Sequence, residues 1–136
     1  MFDPTPLTSG LARIPAVRLV VLFGSTAAGR GRPDSDVDLA VELDPDDASA
    51  RAAVIATVTS QVAGPVDIVF VNDAGPQLRF EIARGGQLLH QRDARDWERM
   101  KARAMIDWWD WQPTSRAMHR GLLARLRASQ VDRHGP

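Results

Sequence analysis

Read only for apolar and polar positions, the chain separates into short apolar runs and longer helical segments. AVRLVVLF (16–23) is apolar at nearly every position and rich in β-branched residues, as a strand covered on both faces would be. DVDLAVEL (36–43) alternates instead, with Val37, Leu39 and Val41 on one side and Asp36, Asp38, Ala40 and Glu42 on the other. GPVDIVFVN (64–72) predicts a third strand, and QLLHQ (87–91) a short edge strand. Between them, 46–62 opens with acidic residues and continues with Ala-rich apolar spacing, the pattern of a helix with a favourably charged N-terminus. Residues 6–13 predict a short helix stopped near Pro15, and 76–84 a helix ended by Gly85-Gly86. From 93 to 111, Trp97, Met100, Ala104 and Trp108 recur along one helical face. Pro113 interrupts it, a last helix is expected over 114–127, and 129–136 reads as a frayed tail. The sum is an α+β chain: a small, mostly apolar sheet with flanking helices and a helical C-terminal segment.

Composition narrows this picture. At 136 residues the chain has room for one domain, with a core over about 12–92 and the helical segment over about 93–128. Hydrophobic residues make up 44%, so a core is within reach. Seventeen Lys and Arg balance seventeen Asp and Glu. A protein that tracks a phosphate backbone usually carries a basic excess, so no direct nucleic-acid partner is expected. No cysteine is present, which excludes disulfides and thiolate metal sites. The longest apolar run, around Leu19–Phe23, is far too short to cross a bilayer. The opening MFDPTPLTSG has neither a basic start nor an apolar stretch, so no signal peptide, no membrane partner and a cytoplasmic location are the expectation.

The chemistry concentrates in LFGSTAAGRGRPDSDVDLAV (22–41). Three aspartates within five residues repel one another unless something positive lies between them. A Walker-type phosphate loop fails, because Arg30 and Gly31 stand where Lys and a hydroxyl are required. A calcium loop fails too, with Leu39 at the required glycine and Pro45 at the bidentate glutamate. A solvated acidic turn is the plain alternative. Against it stands the geometry: Asp36 and Asp38, two apart on a strand, share a face and can reach one metal pair. Gly24 removes a side chain where phosphates must approach, and Ser25 offers a hydroxyl at the start of a short helical turn. Two Mg²⁺ ions about 4 Å apart can clamp the attacking and leaving oxygens of a phosphoryl group.

The spacing G-S-x10-D-x-D, set by Gly24, Ser25, Asp36 and Asp38, resembles that of the DNA polymerase beta-like nucleotidyltransferases. RPDSDVDLAV looks like the minimal nucleotidyltransferase (MNT) branch. The resemblance is close over 16–43 and looser to about 112. It implies the polymerase beta-like fold, two Mg²⁺ ions held by Asp36, Asp38 and Asp67, and ATP as substrate, bound by Gly24, Ser25 and Arg30. Asp67 would also accept the proton of the attacking hydroxyl. Arg30 and Arg32 lie beside the phosphate site and serve either pyrophosphate or solvent. Asp34 reads as a turn residue, Asp73 as a loop start and Glu42 as peripheral. His90, His119 and His134 lack mutual metal spacing.

Too little chain follows Gly86 for an acceptor-holding helical domain of the antibiotic-modifying kind. The best-fitting resemblance is to the antitoxin of bacterial HEPN–MNT toxin–antitoxin pairs. It implies transfer of AMP from ATP to a tyrosine of the HEPN ribonuclease toxin. The chain contains no tyrosine, so a tyrosine acceptor must belong to another protein. A non-catalytic binding antitoxin and a small-molecule nucleotidyltransferase are the alternatives. Trp108, Trp109 and Trp111 cannot all face one side of a helix, so at least one should be exposed or covered by the HEPN partner.

Overall fold

A computed structural model describes residues 2–24, 37–112 and 120–121. Four strands form one sheet: β1 (Val17–Phe23), β2 (Val37–Leu43), β3 (Val66–Phe70) and β4 (Gln87–Gln91), in the order β3-β2-β1-β4. β1 runs antiparallel to both β2 and β4, and β2 runs parallel to β3. The sheet is therefore mixed, and β4 is an edge strand as its short polar-flanked run suggested. A parallel pair needs a crossover, and α2 (Ala48–Gln61) supplies it between β2 and β3.

Four α-helices cover the two faces. On one side α1 (Thr5–Ala12) and α2 pack through Leu7, Leu11, Ala50, Val54 and Val58 against Val17, Val20, Leu39, Val41 and Leu43. Leu7 and Leu11, and Val54 and Val58, are each four apart, so each pair projects from one side of its helix. Gly10 lets the two helices approach closely: a Cβ there would lie 2.8 Å from Thr57 Cγ2. On the other side α3 (Pro76–Gly85) and α4 (96–112) close over Leu19, Val21 and Ala40 with Ile82, Met100 and Ala104. Ala40 is fully buried, so β2 is covered on both faces along its middle and is less one-sided than its alternation suggested. Ala40 and Val69 belong to the α3–α4 side. Asp38 and Asp67, two residues before each, share that side by the two-residue period of a strand.

The helix starts follow from local chemistry. Asp47 accepts from the Ala50 N–H at 2.8 Å and caps α2. Before α4, the Asp93 side chain accepts from the Arg95 N–H at 2.9 Å, while Asp96 reaches back to the Asp93 N–H at 2.7 Å. That reciprocal pair is a capping box built from two aspartates. It explains why Asp96 is the one buried charged side chain among the described residues. β3 stops at Phe70, two residues before the sequence reading ended it, because Val71–Asp73 winds into a 3-10 turn around buried Val71. Residues 120 and 121 are helical, within the last helix expected over 114–127, and its remainder lies outside the described residues.

The expected core face of α4 is present: Met100 and Ala104 are buried and Trp97 packs beside them. Trp108 stacks on Phe80 with ring centroids 4.8 Å apart and an interplanar angle of 13°. Trp111 tilts onto Trp108 at 5.3 Å. Trp109 is 65% exposed, which meets the expectation that one of the three indoles lies outside the core. Among the described residues, no helix is long and apolar enough to cross a membrane.

Candidate active site

The parallel β2–β3 ladder sets Asp38 directly opposite Asp67. Partners in register point to the same side of a sheet, so the two carboxylates stand together at the end of the sheet where β1 gives way to Gly24. Asp38 is also the antiparallel partner of Phe23, the residue before that glycine. Asp38 is half-buried and Asp67 is exposed. One acid is thus held in the fold while the other is open to an incoming molecule.

Gly24 makes this arrangement possible. Its φ of 78° lies in the left-handed region that side chains disfavour. A Cβ at this position would sit 2.3 Å from Asp38 Oδ2 and 3.2 Å from its carboxyl carbon. The bare backbone of the turn therefore lies directly against the carboxylate, leaving no room for a side chain between them.

Gly24, Asp38 and Asp67, three of the residues singled out in the sequence, are gathered in one place. Ser25, Arg30 and Asp36 lie outside the described residues, as do Arg32 and Asp34. Among the described residues, no group of three or more His, Cys, Asp or Glu gathers in a metal-binding arrangement. The donors present fit a hard divalent cation: two carboxylates side by side, beside a cradle that a single methyl group would fill.

The other acids are engaged elsewhere. Glu42 lies 3.5 Å from Arg18 and borders a cleft of about 180 Å³ with Asp96, Arg99 and Arg103, away from Asp38. Asp73 and Asp46 both bind Arg51, each with a closest approach of 2.7 Å. Hydrogen bonds from Arg51 hold both carboxyls below their usual range, and the same bonds raise the Arg51 pKa further. Arg51 also lies over the Phe70 ring at 4.6 Å and ties α2 to the end of β3. Asp44 is held low chiefly by a hydrogen bond from Arg92, then by the charge of Arg18.

One residue that sequence reasoning passed over is Asn72, placed there inside the third strand. Its amide makes two bonds to the backbone of Leu43, both at 2.9 Å. The signal was available: Asn-Asp at the end of an apolar run marks a turn.

Comparison with known proteins identifies the family. Residues 7–95 match the family described as polymerase beta, nucleotidyltransferase. Protein adenylyltransferase MntA of Aphanizomenon flos-aquae (strain 2012/KM1/D3) is 26% identical over 107 residues, 71% of each chain. A chain from the crystal structure of a toxin–antitoxin with AMP-PNP superposes with a TM-score of 0.75 at 24% identity, over 90% of this chain and 99% of that one. A chain from the complex of tri-AMPylated Shewanella oneidensis HEPN toxin with MNT antitoxin gives 0.66 at 20% identity, over 89% and 99%. At those identities the superpositions speak for the fold. The family match spans well over half of the sequence and includes Gly24, Asp38 and Asp67. The chain belongs to the polymerase beta family of nucleotidyltransferases.

Proposed function

We propose that this nucleotidyltransferase moves AMP from ATP to a tyrosine of a HEPN-type partner protein, as the antitoxin of a toxin–antitoxin pair. The observation that carries the reading is the register pair Asp38–Asp67, with Asp38 against a side-chain-free turn at Gly24. Asp36, Asp38 and Asp67 would hold Mg²⁺. Bound Mg²⁺ supplies charge neutralisation at the attacked phosphorus and at the leaving oxygen. The turn from Gly24 into Ser25, with Arg30, would receive the triphosphate. The tyrosyl oxygen attacks the α-phosphorus, the bond to the β-phosphate oxygen breaks, and pyrophosphate leaves. Asp67, the exposed member of the pair, would take the hydroxyl proton. The acceptor lies on another molecule if it is tyrosine, because this chain has none. The naming of MntA as a protein adenylyltransferase, and of related complexes as toxin–antitoxins, supports this choice of donor and acceptor.

The test is transfer of label from α-labelled ATP to a co-expressed HEPN-type protein. Asp38→Asn should lower transfer by about 100-fold or more, and Asp67→Ala should lower kcat more than it raises KM for ATP. Transfer at the wild-type rate by Asp38→Asn would rule out the site. Label on a small molecule, with none on protein, would move the enzyme to the small-molecule class.

A further inference from the structure

Because Asp38 is on β2 and Asp67 on β3, the offset between these strands decides whether the carboxylates meet. The ladder keeps one register from Val37–Val66 to Val41–Phe70. The β1–β2 and β1–β4 ladders each contain an irregularity, so the ladder that carries the acid pair is the unbroken one. β3 lies at the sheet edge and its side chains are only partly buried: Val66, Ile68 and Phe70 pack against the α1–α2 core and Val69 against the other. This alternation opposes a slip of one residue, but a slip of two leaves the same side chains on the same faces. A slip of one residue would turn Asp67 to the opposite face, and a slip of two would move it about 6.6 Å along the strand.

Asn72 supplies a constraint on the slip of two. After Phe70 the chain enters the 3-10 turn and leaves the ladder, while β2 runs on to Leu43. There the Leu43 N–H donates to Asn72 Oδ1, and Asn72 Nδ2 donates to the Leu43 carbonyl, both at 2.9 Å. The side-chain amide thus makes both bonds that a neighbouring strand's backbone would make. Leu43 and Asn72 are 29 residues apart, the same offset as Asp38 and Asp67. The turn that presents Asn72 is itself fixed, by buried Val71 on one side and by the Asp73–Arg51 bonds on the other.

We propose that Asn72 is a positioning residue: its amide locks the β2–β3 register that sets Asp67 beside Asp38. The consequence for transfer rests on the proposed role of those carboxylates, whereas the register itself does not. The experiment compares Asn72→Ala and the near-isosteric Asn72→Asp with Val58→Ala, a core truncation on the α2 side that serves as a stability control. Cross-strand backbone contacts between Asp38 and Asp67 are read by NMR, and Mn²⁺ binding to nucleotide-free protein by calorimetry. Asn72→Asp faces the Leu43 carbonyl with a second acceptor, so both Asn72 variants should weaken or multiply the Asp38–Asp67 contacts. Their Mn²⁺ affinity should fall about tenfold or more, in the range seen when a residue supporting a metal ligand is lost. Their kcat should fall more than KM for ATP rises. Val58→Ala should keep the contacts and the Mn²⁺ affinity. Asn72 variants that keep one set of contacts and wild-type Mn²⁺ affinity would overturn the proposal. Should Asn72→Ala fail to fold, Asn72→Asp carries the comparison. If the wild-type protein binds no Mn²⁺, the carboxylate reading fails, and the strand contacts still decide the role of Asn72.

Discussion

At the scale of single residues, Gly24 is the position where conformation and chemistry meet. Its φ of 78° costs a side-chain-bearing residue about 1–2 kcal/mol. A methyl group there would also be driven into Asp38 Oδ2 at 2.3 Å, a contact no Cβ can hold. Either the turn or the carboxylate must move. Gly24→Ala should therefore lower stability by roughly 1–3 kcal/mol and weaken binding of a non-hydrolysable ATP analogue with Mn²⁺ by about tenfold or more. Thermal melts and calorimetry on one preparation separate the two effects. Unchanged binding in a less stable protein would make the turn a strand connector and nothing more. Residue type and spacing in the sequence single out Gly24 and Asp38, which the fold brings together, and Asp36, which lies outside the described residues. The clash between a Gly24 Cβ and the Asp38 carboxylate was not legible, since it depends on how β1 and β2 are paired.

At the scale of elements, the sequence pattern marks every strand and α-helix of the described residues. It missed what joins them. β3 was drawn to 72 because Val69, Phe70 and Val71 are all apolar. The chain instead winds at Val71, which buries that side chain and still satisfies the Leu43 N–H and carbonyl through the Asn72 amide. Asp73 was read as a loop start, while its partner Arg51 is 22 residues away in sequence and no local pattern links them. That three-way contact of Arg51 with Asp46 and Asp73 carries a pH signature. Both carboxyls are held below their unfolded values, first by the Arg51 hydrogen bonds. A depressed folded pKa contributes stability that is present above the unfolded value, near 4, and is lost as pH falls through the folded one. Arg51 stays charged throughout. Arg51→Met should thus lower the melting temperature at pH 7, and the difference from wild type should shrink as pH drops from about 4 toward 2. A gap that stays constant across that range would assign Arg51 to packing on Phe70 instead of to its carboxylates.

At the scale of the whole molecule, α4 is apolar on two sides, and among the described residues one of them packs internally. Trp97, Met100 and Ala104 face the sheet, and Trp108 lies between Phe80 and Trp111. On the opposite side Ala102, Met105, Ile106 and Trp109 follow the i, i+3, i+4, i+7 spacing of a helix that meets a second surface. Met105, Ile106 and Trp109 are 47%, 56% and 65% exposed, a continuous apolar stripe on a small chain. Under the proposed function this stripe has an occupant, the HEPN-type protein that carries the acceptor tyrosine this chain lacks. A buried indole at such a contact commonly accounts for about 2 kcal/mol or more of binding. The two neighbouring tryptophans then make opposite predictions. Trp108→Ala removes a stacked ring and should destabilise the isolated protein by about 2 kcal/mol or more. Trp109→Ala should leave the isolated protein within about 0.5 kcal/mol of wild type. It should keep nucleotide binding and yet lose the co-expressed HEPN protein on purification, with AMP transfer falling through KM for that protein and not through kcat. If Trp109→Ala retains the partner at wild-type affinity, the acceptor protein docks elsewhere on the molecule, and the outer face of α4 has no part in the pairing.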